Sequence, residues 1–249
     1  MPLTDMVIVP GDPLATLANA DGYYECPRGQ DGRRLGPLVG YAGTYKGPGG
    51  KPLQFVGDVY VNFAMGEQYP HLLDHFSQLL AGAVPDGLEF DVCLGAPMGG
   101  ILLAASFGFI ANSRMIFAEK KIIALATSDK REQSELVISR HPLNSGDRVV
   151  LVEDVCNNFS TTDKMVELAA KAGAKVAAIA CFLNRSERTE YQVSGGDILP
   201  ILAVVHKPFP QYQQDDPEAA ADIVAGNVVW KPKNEWPRLK TAMEAARQG

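Results

Sequence analysis

Runs of apolar residues broken by short polar stretches dominate the middle of the chain. The clearest unit is Arg148–Gly173. Val149–Val152 form an apolar run long enough for a buried strand of a parallel sheet. Glu153 and Asp154 follow at once, where that strand is expected to end. Asn157, Asn158, Ser160, Thr161 and Thr162 then make a polar loop. A helix is predicted next, capped by Thr161 or Thr162, with Met165, Leu168, Ala169 and Ala172 along one face and Gly173 closing it. A second apolar run, Val176–Leu183, completes a strand–loop–helix–strand unit. Ligands of such units sit at the carboxyl ends of the strands, which is where these acids, amides and hydroxyls converge.

The same pattern predicts further elements. Tyr69–Ala83 reads as an amphipathic helix with Leu72, Leu73, Phe76, Leu79 and Leu80 on one side. Its His71 and His75 lie one turn apart, a metal-ligand spacing, but without a third ligand they read as a solvent-facing pair. Asp91–Leu94 is a short strand running through the turn Gly95–Gly100 into a helix of small and apolar residues. Glycines there let a phosphate approach the backbone, or let helix and strand pack closely. Asp197–Val205 is another apolar strand. Residues 1–55 are dense in glycine and proline, and Val39–Tyr45 with Leu53–Val61 suggest a hairpin around Gly47–Gly50. Trp236–Ala246 predicts a terminal amphipathic helix, with Trp230 and Trp236 anchoring the tail to the body or to a partner subunit.

Composition narrows the function. The 249 residues are 46% hydrophobic, enough for one large domain or a domain with an appendage. A net charge of −6 and the lack of a basic run argue against nucleic acid. No apolar stretch approaches a membrane span, and the N-terminus lacks the charged and apolar regions of a signal peptide. Cys26, Cys93, Cys156 and Cys181 are scattered without zinc spacing and read as reduced thiols of a cytoplasmic protein.

Two neighbouring carboxylates can accept hydrogen bonds from vicinal ribose hydroxyls, directly or through Mg²⁺ and its waters. Backbone N–H groups entering a helix, with Ser and Thr hydroxyls beside them, attract a phosphate. From spacing alone, an acid pair ending a strand before an ordinary capped helix is the slightly better account, because capped helices are far commoner than active sites. Glu153–Thr161 resembles the signature of the type I phosphoribosyltransferases, two acids and an aliphatic residue before a phosphate loop. Phe159 stands where that family usually has glycine, and Asn157–Asn158 replace its Thr and small residue. A phenylalanine resists positive φ, so the loop is expected to be shaped differently. Leu183-Asn184-Arg185-Ser186-Glu187-Arg188 resembles the Leu-Asp-Arg-Gln-Glu-Arg segment of orotate phosphoribosyltransferases. Val59–Phe63 loosely resembles the aromatic strand of their hood.

The resemblance implies an α/β type I phosphoribosyltransferase fold, a central mostly parallel sheet flanked by helices with an N-terminal hood. It implies a hood over residues 1–65, a core over 66–206 and a tail over 207–249 packing on the core or a partner subunit. The implied reaction moves the phosphoribosyl group of PRPP to a nitrogenous base, orotate first, and releases pyrophosphate. A purine or other acceptor, or a non-catalytic PRPP-binding regulator, are the alternatives. By that resemblance Glu153 and Asp154 hold the ribose hydroxyls and, through water or substrate, Mg²⁺. Asn157, Asn158, Phe159, Ser160, Thr161 and Thr162 hold the 5′-phosphate. Ala96, Pro97, Met98 and Gly99, with Lys120 or Lys121, meet pyrophosphate, and Arg185 reads the base. Gly99 falls where many orotate enzymes carry a lysine, and Glu119 where they carry an arginine. Lys130, Arg131, Arg140 and His141 are further local cations. A homodimer is expected.

Overall fold

The computed structural model describes residues 7–124, 133–194 and 196–248. The elements in chain order are α1 (Pro13–Asn19), β1 (Tyr23–Glu25), β2 (Leu38–Lys46), β3 (Pro52–Gly57), β4 (Val59–Val61), α2 (Ala64–Glu67) and α3 (Pro70–Gly82). Then come β5 (Val92–Gly95), α4 (Gly100–Ile110), β6 (Arg114–Phe117), β7 (Glu119–Ala124), β8 (Gln133–Val137) and β9 (Arg148–Cys156). The chain finishes with α5 (Ser160–Lys171), β10 (Lys175–Asn184), β11 (Glu190–Gln192), β12 (Ile198–His206), α6 (Ala220–Val224), β13 (Val228–Val229) and α7 (Trp236–Gln248). Two compact units divide it: Met1–Pro13 with Glu67–Pro208, and Leu14–Gly66 with Phe209–Gly249.

The first unit is built on a six-stranded sheet in the order β11-β12-β10-β9-β5-β6. Only β11 runs antiparallel to its neighbour; the other five strands are parallel. Alternation along each strand sends side chains to opposite faces. Val149 and Leu151 of β9, with Val92 and Leu94 of β5, pack against Met165 and Ala169 of α5. The alternate residues face the other side, where α3 and α4 lie, and Phe76 of α3 meets Phe182 of β10 at 4.7 Å between ring centroids. Helices therefore cover both faces, as a parallel sheet of continuous apolar strands requires. Gly173 ends α5 at φ 74°, its N–H bonding Ala170 O (2.9 Å) while Ala174 N–H reaches Ala169 O (3.0 Å). That is the Schellman pairing a left-handed glycine permits.

The strand expected to stop at the acids instead runs on to Cys156, because β10 continues beside it as far as Asn184, opposite Cys156. Neither Thr161 nor Thr162 caps the helix; α5 starts at Ser160, and Phe159 holds the N-cap position with no side-chain cap.

The second unit holds the expected hairpin, β2 with β3, joined through Gly47–Gly50. β3 ends at Gly57, and Val59–Val61 leave it to pair antiparallel with β1. The C-terminal residues, expected to pack on the core or a partner subunit, join this N-terminal segment. β13 pairs parallel with β2 (Val228 with Leu38, Val229 with Val39), and Leu239 of α7 is buried with Tyr24 and Val39. Trp236 packs beside that cluster, 6.2 Å from the Tyr60 ring. Trp230 lies over Gly40, where a Cβ would come within 3.0 Å of the indole. Inside this unit Arg34, its side chain 8% exposed, bridges Asp58 (2.5 Å) and Asp222 (3.2 Å).

Candidate functional site

The parallel register brings three loops to one edge of the sheet. Gly95 at the end of β5 sits opposite Val152, and Asn184 at the end of β10 sits opposite Cys156. The turn 96–99, the loop 157–159 and the turn after Asn184 therefore leave the carboxyl ends of three adjacent strands, β5, β9 and β10.

Glu153 and Asp154 lie at the end of β9, both half-buried. The turn before α4 packs directly on them. A Cβ on Gly100 would come within 2.1 Å of Val152 O, and one on Gly99 within 2.3 Å of Asp154 Oδ2. The glycines thus serve close packing, and any side chain at 99 would have to displace the Asp154 carboxylate. The Pro97–Met98 peptide is cis, and Met98 is 83% exposed.

Burial dominates the electrostatics. It pushes the Glu153 carboxyl up to about 8, with Asp154 adding repulsion. Asp154 is also raised by burial, opposed by the Val155 N–H that donates to its Oδ1 at 2.9 Å. A third carboxyl, Glu67 at the end of α2, is raised to about 7 by burial and by Asp154. Its Oε2 is buried and has no hydrogen-bond partner among the described residues. Glu67 lies far from the acid pair in sequence, and no motif marks it. Three carboxyls rich in acceptors and short of donors suit a polyol or a divalent cation with its water. No cluster of three or more His, Cys, Asp or Glu among the described residues is arranged to hold a metal by itself. Mg²⁺ would fit here only with substrate or water completing its coordination.

These shifts set a pH dependence. In the unfolded chain Glu153 ionises near 4.5, in the fold near 8. Between those values the native state keeps a proton that the unfolded state releases. Stability of the ligand-free protein therefore falls as pH rises through this window, and the penalty is complete above it. Glu153→Gln should remove ~2 kcal/mol of that penalty at pH 9, raising Tm by about 5 °C there and little at pH 5. Thermal melts of both proteins from pH 5 to 9 check this; parallel curves would show that Glu153 is not held protonated.

Asn157–Thr162, with Glu153, Val155 and Cys156, line a small open concavity at the N-terminus of α5. Its shape overturns the expectation about Phe159. The residue does adopt the left-handed conformation, φ 60°, ψ 14°, as a glycine would. Its ring is only 4% exposed, packed with Ile179, Tyr191 and Leu199. Burying a phenyl group gains about 1.5–3 kcal/mol, against about 1–2 for the left-handed backbone. Packing wins over local preference. Asn158 Oδ1 accepts the Ser160 N–H at 3.1 Å, an acceptor placed where the helix start favours anions. Thr162 is 3% exposed and so belongs to the floor of the concavity, while Ser160 is exposed.

A neighbouring cleft of about 160 Å³ joins Pro97, Lys120, Thr161 and Lys164 with Ser134 and Leu136 of β8. Lys120 lines it; Lys121, next along β7, points to the opposite face by strand alternation. Lys164 belongs to no motif of the sequence, though its place one turn into α5 beside Thr161 is a signal for it. Residues 119–137 include the hairpin of β7 and β8. Arg140 pairs with Glu119 (3.1 Å) and His141 stands edge-on to Phe117 (5.5 Å), which commits both to the hairpin base. Lys130 and Arg131 lie outside the described residues. His71 and His75 are half-buried beside Tyr69 and Phe76.

Arg185 opens the turn after β10. It is 9% exposed, and its N–H donates to Cys156 O at 2.9 Å. Asn184, 1% exposed, holds the turn with Nδ2 on Arg188 O (2.6 Å) and Oδ1 receiving the Ser186 N–H (3.1 Å) and hydroxyl (2.7 Å).

No protein-family model matches the chain. Curated relatives do. An orotate phosphoribosyltransferase of Thermococcus gammatolerans is 27% identical over 150 residues, 59% of this chain and 75% of that protein. Those of Heliobacterium modesticaldum and Caldanaerobacter subterraneus are 32% and 30% identical over 129 and 131 residues. Those matches take in 51% and 52% of this chain and only 62% and 63% of the relatives' own lengths. Among solved structures, the orotate phosphoribosyltransferase of Aeropyrum pernix aligns with a TM-score of 0.45 at 16% identity, over 67% of this chain and 87% of that one. By its motifs and its curated relatives, the chain is similar to the type I phosphoribosyltransferases, and among them to the orotate enzymes.

Proposed function

We propose that the protein transfers the 5-phosphoribosyl group of PRPP to a nitrogen of a base and releases pyrophosphate. Orotate is the favoured acceptor, giving orotidine 5′-monophosphate for pyrimidine biosynthesis. The observation that carries this reading is the meeting, at one sheet edge, of the half-buried acid pair, the concavity at the start of α5 and Arg185. Relatives named for that activity support it.

In this reading the Thr161 and Thr162 amides and the Ser160 and Thr161 hydroxyls hold the 5′-phosphate, with the positive end of α5 behind them. Asp154 and Glu153 accept the ribose hydroxyls and, once bound cation or substrate displaces the proton that burial keeps on Glu153, favour positive character at the anomeric carbon as pyrophosphate leaves. The backbone of Ala96–Gly99 and the ammonium groups of Lys120 and Lys164 face the departing anion, stabilising charge as it develops. Mg²⁺, held by Glu153 and Asp154 through water or substrate, would neutralise the pyrophosphate when bound. Arg185 offers the planar pair of donors that a carboxylate accepts. Pyrophosphate release from PRPP with a panel of bases tests this. Release with orotate alone supports it, release with another base discards the acceptor, and PRPP binding without release under any base leaves a binding protein.

We also read the protein as a homodimer. Leu102 and Phe109 of α4 and Met115 of the edge strand β6 are 46%, 81% and 43% exposed, an apolar face a monomer rarely leaves open. Phe109→Asp should give a folded monomer by light scattering; a wild-type monomer would overturn the assignment. Four free, buried thiols fit a reducing cytoplasm, which fractionation would check. No helix among the described residues is long and apolar enough to cross a membrane.

A further inference from the structure

The left-handed backbone of Phe159 aims its ring at the turn that carries Arg185. The ring lies 5.6 Å from the Tyr191 ring, and the Arg188 guanidinium stands 5.6 Å from its centroid. The Tyr191 hydroxyl donates to Asp163 Oδ1 in the first turn of α5. Arg185 N–H donates to Cys156 O just before the phosphate loop. Internal bonds tie the turn into one unit. Asn184 bonds Arg188 O and Ser186, Ser186 Oγ accepts the Arg188 N–H at 3.1 Å, and His206 Nε2 meets Ser186 O at 2.9 Å. The phosphate loop and the turn with its following strand β11 are thus joined by a backbone bond, a tilted ring contact, the Arg188 guanidinium over the Phe159 ring and the Tyr191–Asp163 bond.

We propose that Phe159 is a positioning residue that couples the two: filling the phosphate loop orders the 184–188 turn and so sets Arg185 for the acceptor. A glycine at 159 would reach the same backbone conformation but would carry no ring between the loops. Ordering one loop lowers the entropy cost of ordering the other, so the coupling needs no large movement. It is also reciprocal, and a ligand at Arg185 tightens phosphate binding by the same factor. The inference rests on the phosphoribosyl reading of the concavity, and its test separates the two.

Hydrogen–deuterium exchange of the full chain is followed with saturating ribose 5-phosphate on peptides covering 156–163 and 184–190. In the wild type, exchange should slow about fivefold in both segments. In Phe159→Leu and in Arg188→Gln, it should slow in 156–163 only. Arg188 is exposed, so Arg188→Gln decides the matter if Phe159→Leu folds poorly. A rise in the KM for the acceptor with kcat little changed, in Arg188→Gln, is the corresponding kinetic result. Protection of 156–163 without 184–190 in the wild type, or protection of 184–190 surviving both substitutions, overturns the coupling while leaving the phosphate site standing. Wild-type protection in neither segment removes the phosphate site itself, and the coupling with it.

Discussion

Asp154→Asn lowers kcat/KM for pyrophosphate release by about a hundredfold to a thousandfold, the scale of removing one electrostatic contact made in a transition state. The substitution preserves shape. The Val155 N–H now meets Asp154 Oδ1 at 2.9 Å, and an amide oxygen can accept the same bond. Gly99 leaves no more room than the carboxylate fills, so an isosteric amide fits where a larger group would not. What disappears is the charge. Burial is the larger cause that raises Glu153 and Glu67, and Asp154 adds repulsion, so neutralising it lowers both carboxyls in part. The folded protein is therefore expected to melt no lower than the wild type at pH 8, and somewhat higher. A purely structural acid would lose stability and activity together; the chemical role loses activity alone. Turnover assays and thermal melts on the same preparation separate these, and unchanged turnover would remove Asp154 from the mechanism.

The parts of the site that the chain announces are those set by local pattern. Val149–Val152, the acids, Gly173 and Val176–Leu183 mark strand, site edge, helix end and strand because each depends on near neighbours or on full burial. Hydropathy places the end of β9 too early because it records which positions are wholly buried. The backbone ladder continues past them, through half-buried Glu153 and Asp154, as long as β10 lies alongside. Phe159 was misjudged for a different reason. Its steric preference is local, but the ring's pocket is made by Ile179, Tyr191 and Leu199, which follow only after the next strand. Glu67 belongs to a short helix with no signature and reaches the acids only through the fold. The pairing of two-residue β13 with β2 joins the ends of the chain and leaves no periodicity to read.

Arg185→Ala should cost about 10–100-fold in kcat/KM for orotate, from the ~1.5–3 kcal/mol of a charge-assisted hydrogen bond lost to a carboxylate. The effect is expected mainly in the KM for orotate. The PRPP groups at Asp154 and at the start of α5 are untouched by the change, because Arg185 joins that region through its backbone N–H, which alanine keeps. The side chain is 9% exposed, so its removal also leaves a gap, and some loss of melting temperature will accompany the kinetic loss. Arg185→Lys resolves the two contributions. Lysine retains the charge and much of the volume but offers a point donor instead of a planar fork. It should restore stability while recovering only part of the orotate KM. The acceptor panel gives the remaining control: a base without a carboxylate should be indifferent to either substitution. If Arg185→Ala turns over orotate as well as the wild type does, Arg185 is no base reader. The acceptor must then be sought among purines or other bases, with the acid pair and phosphate loop retained.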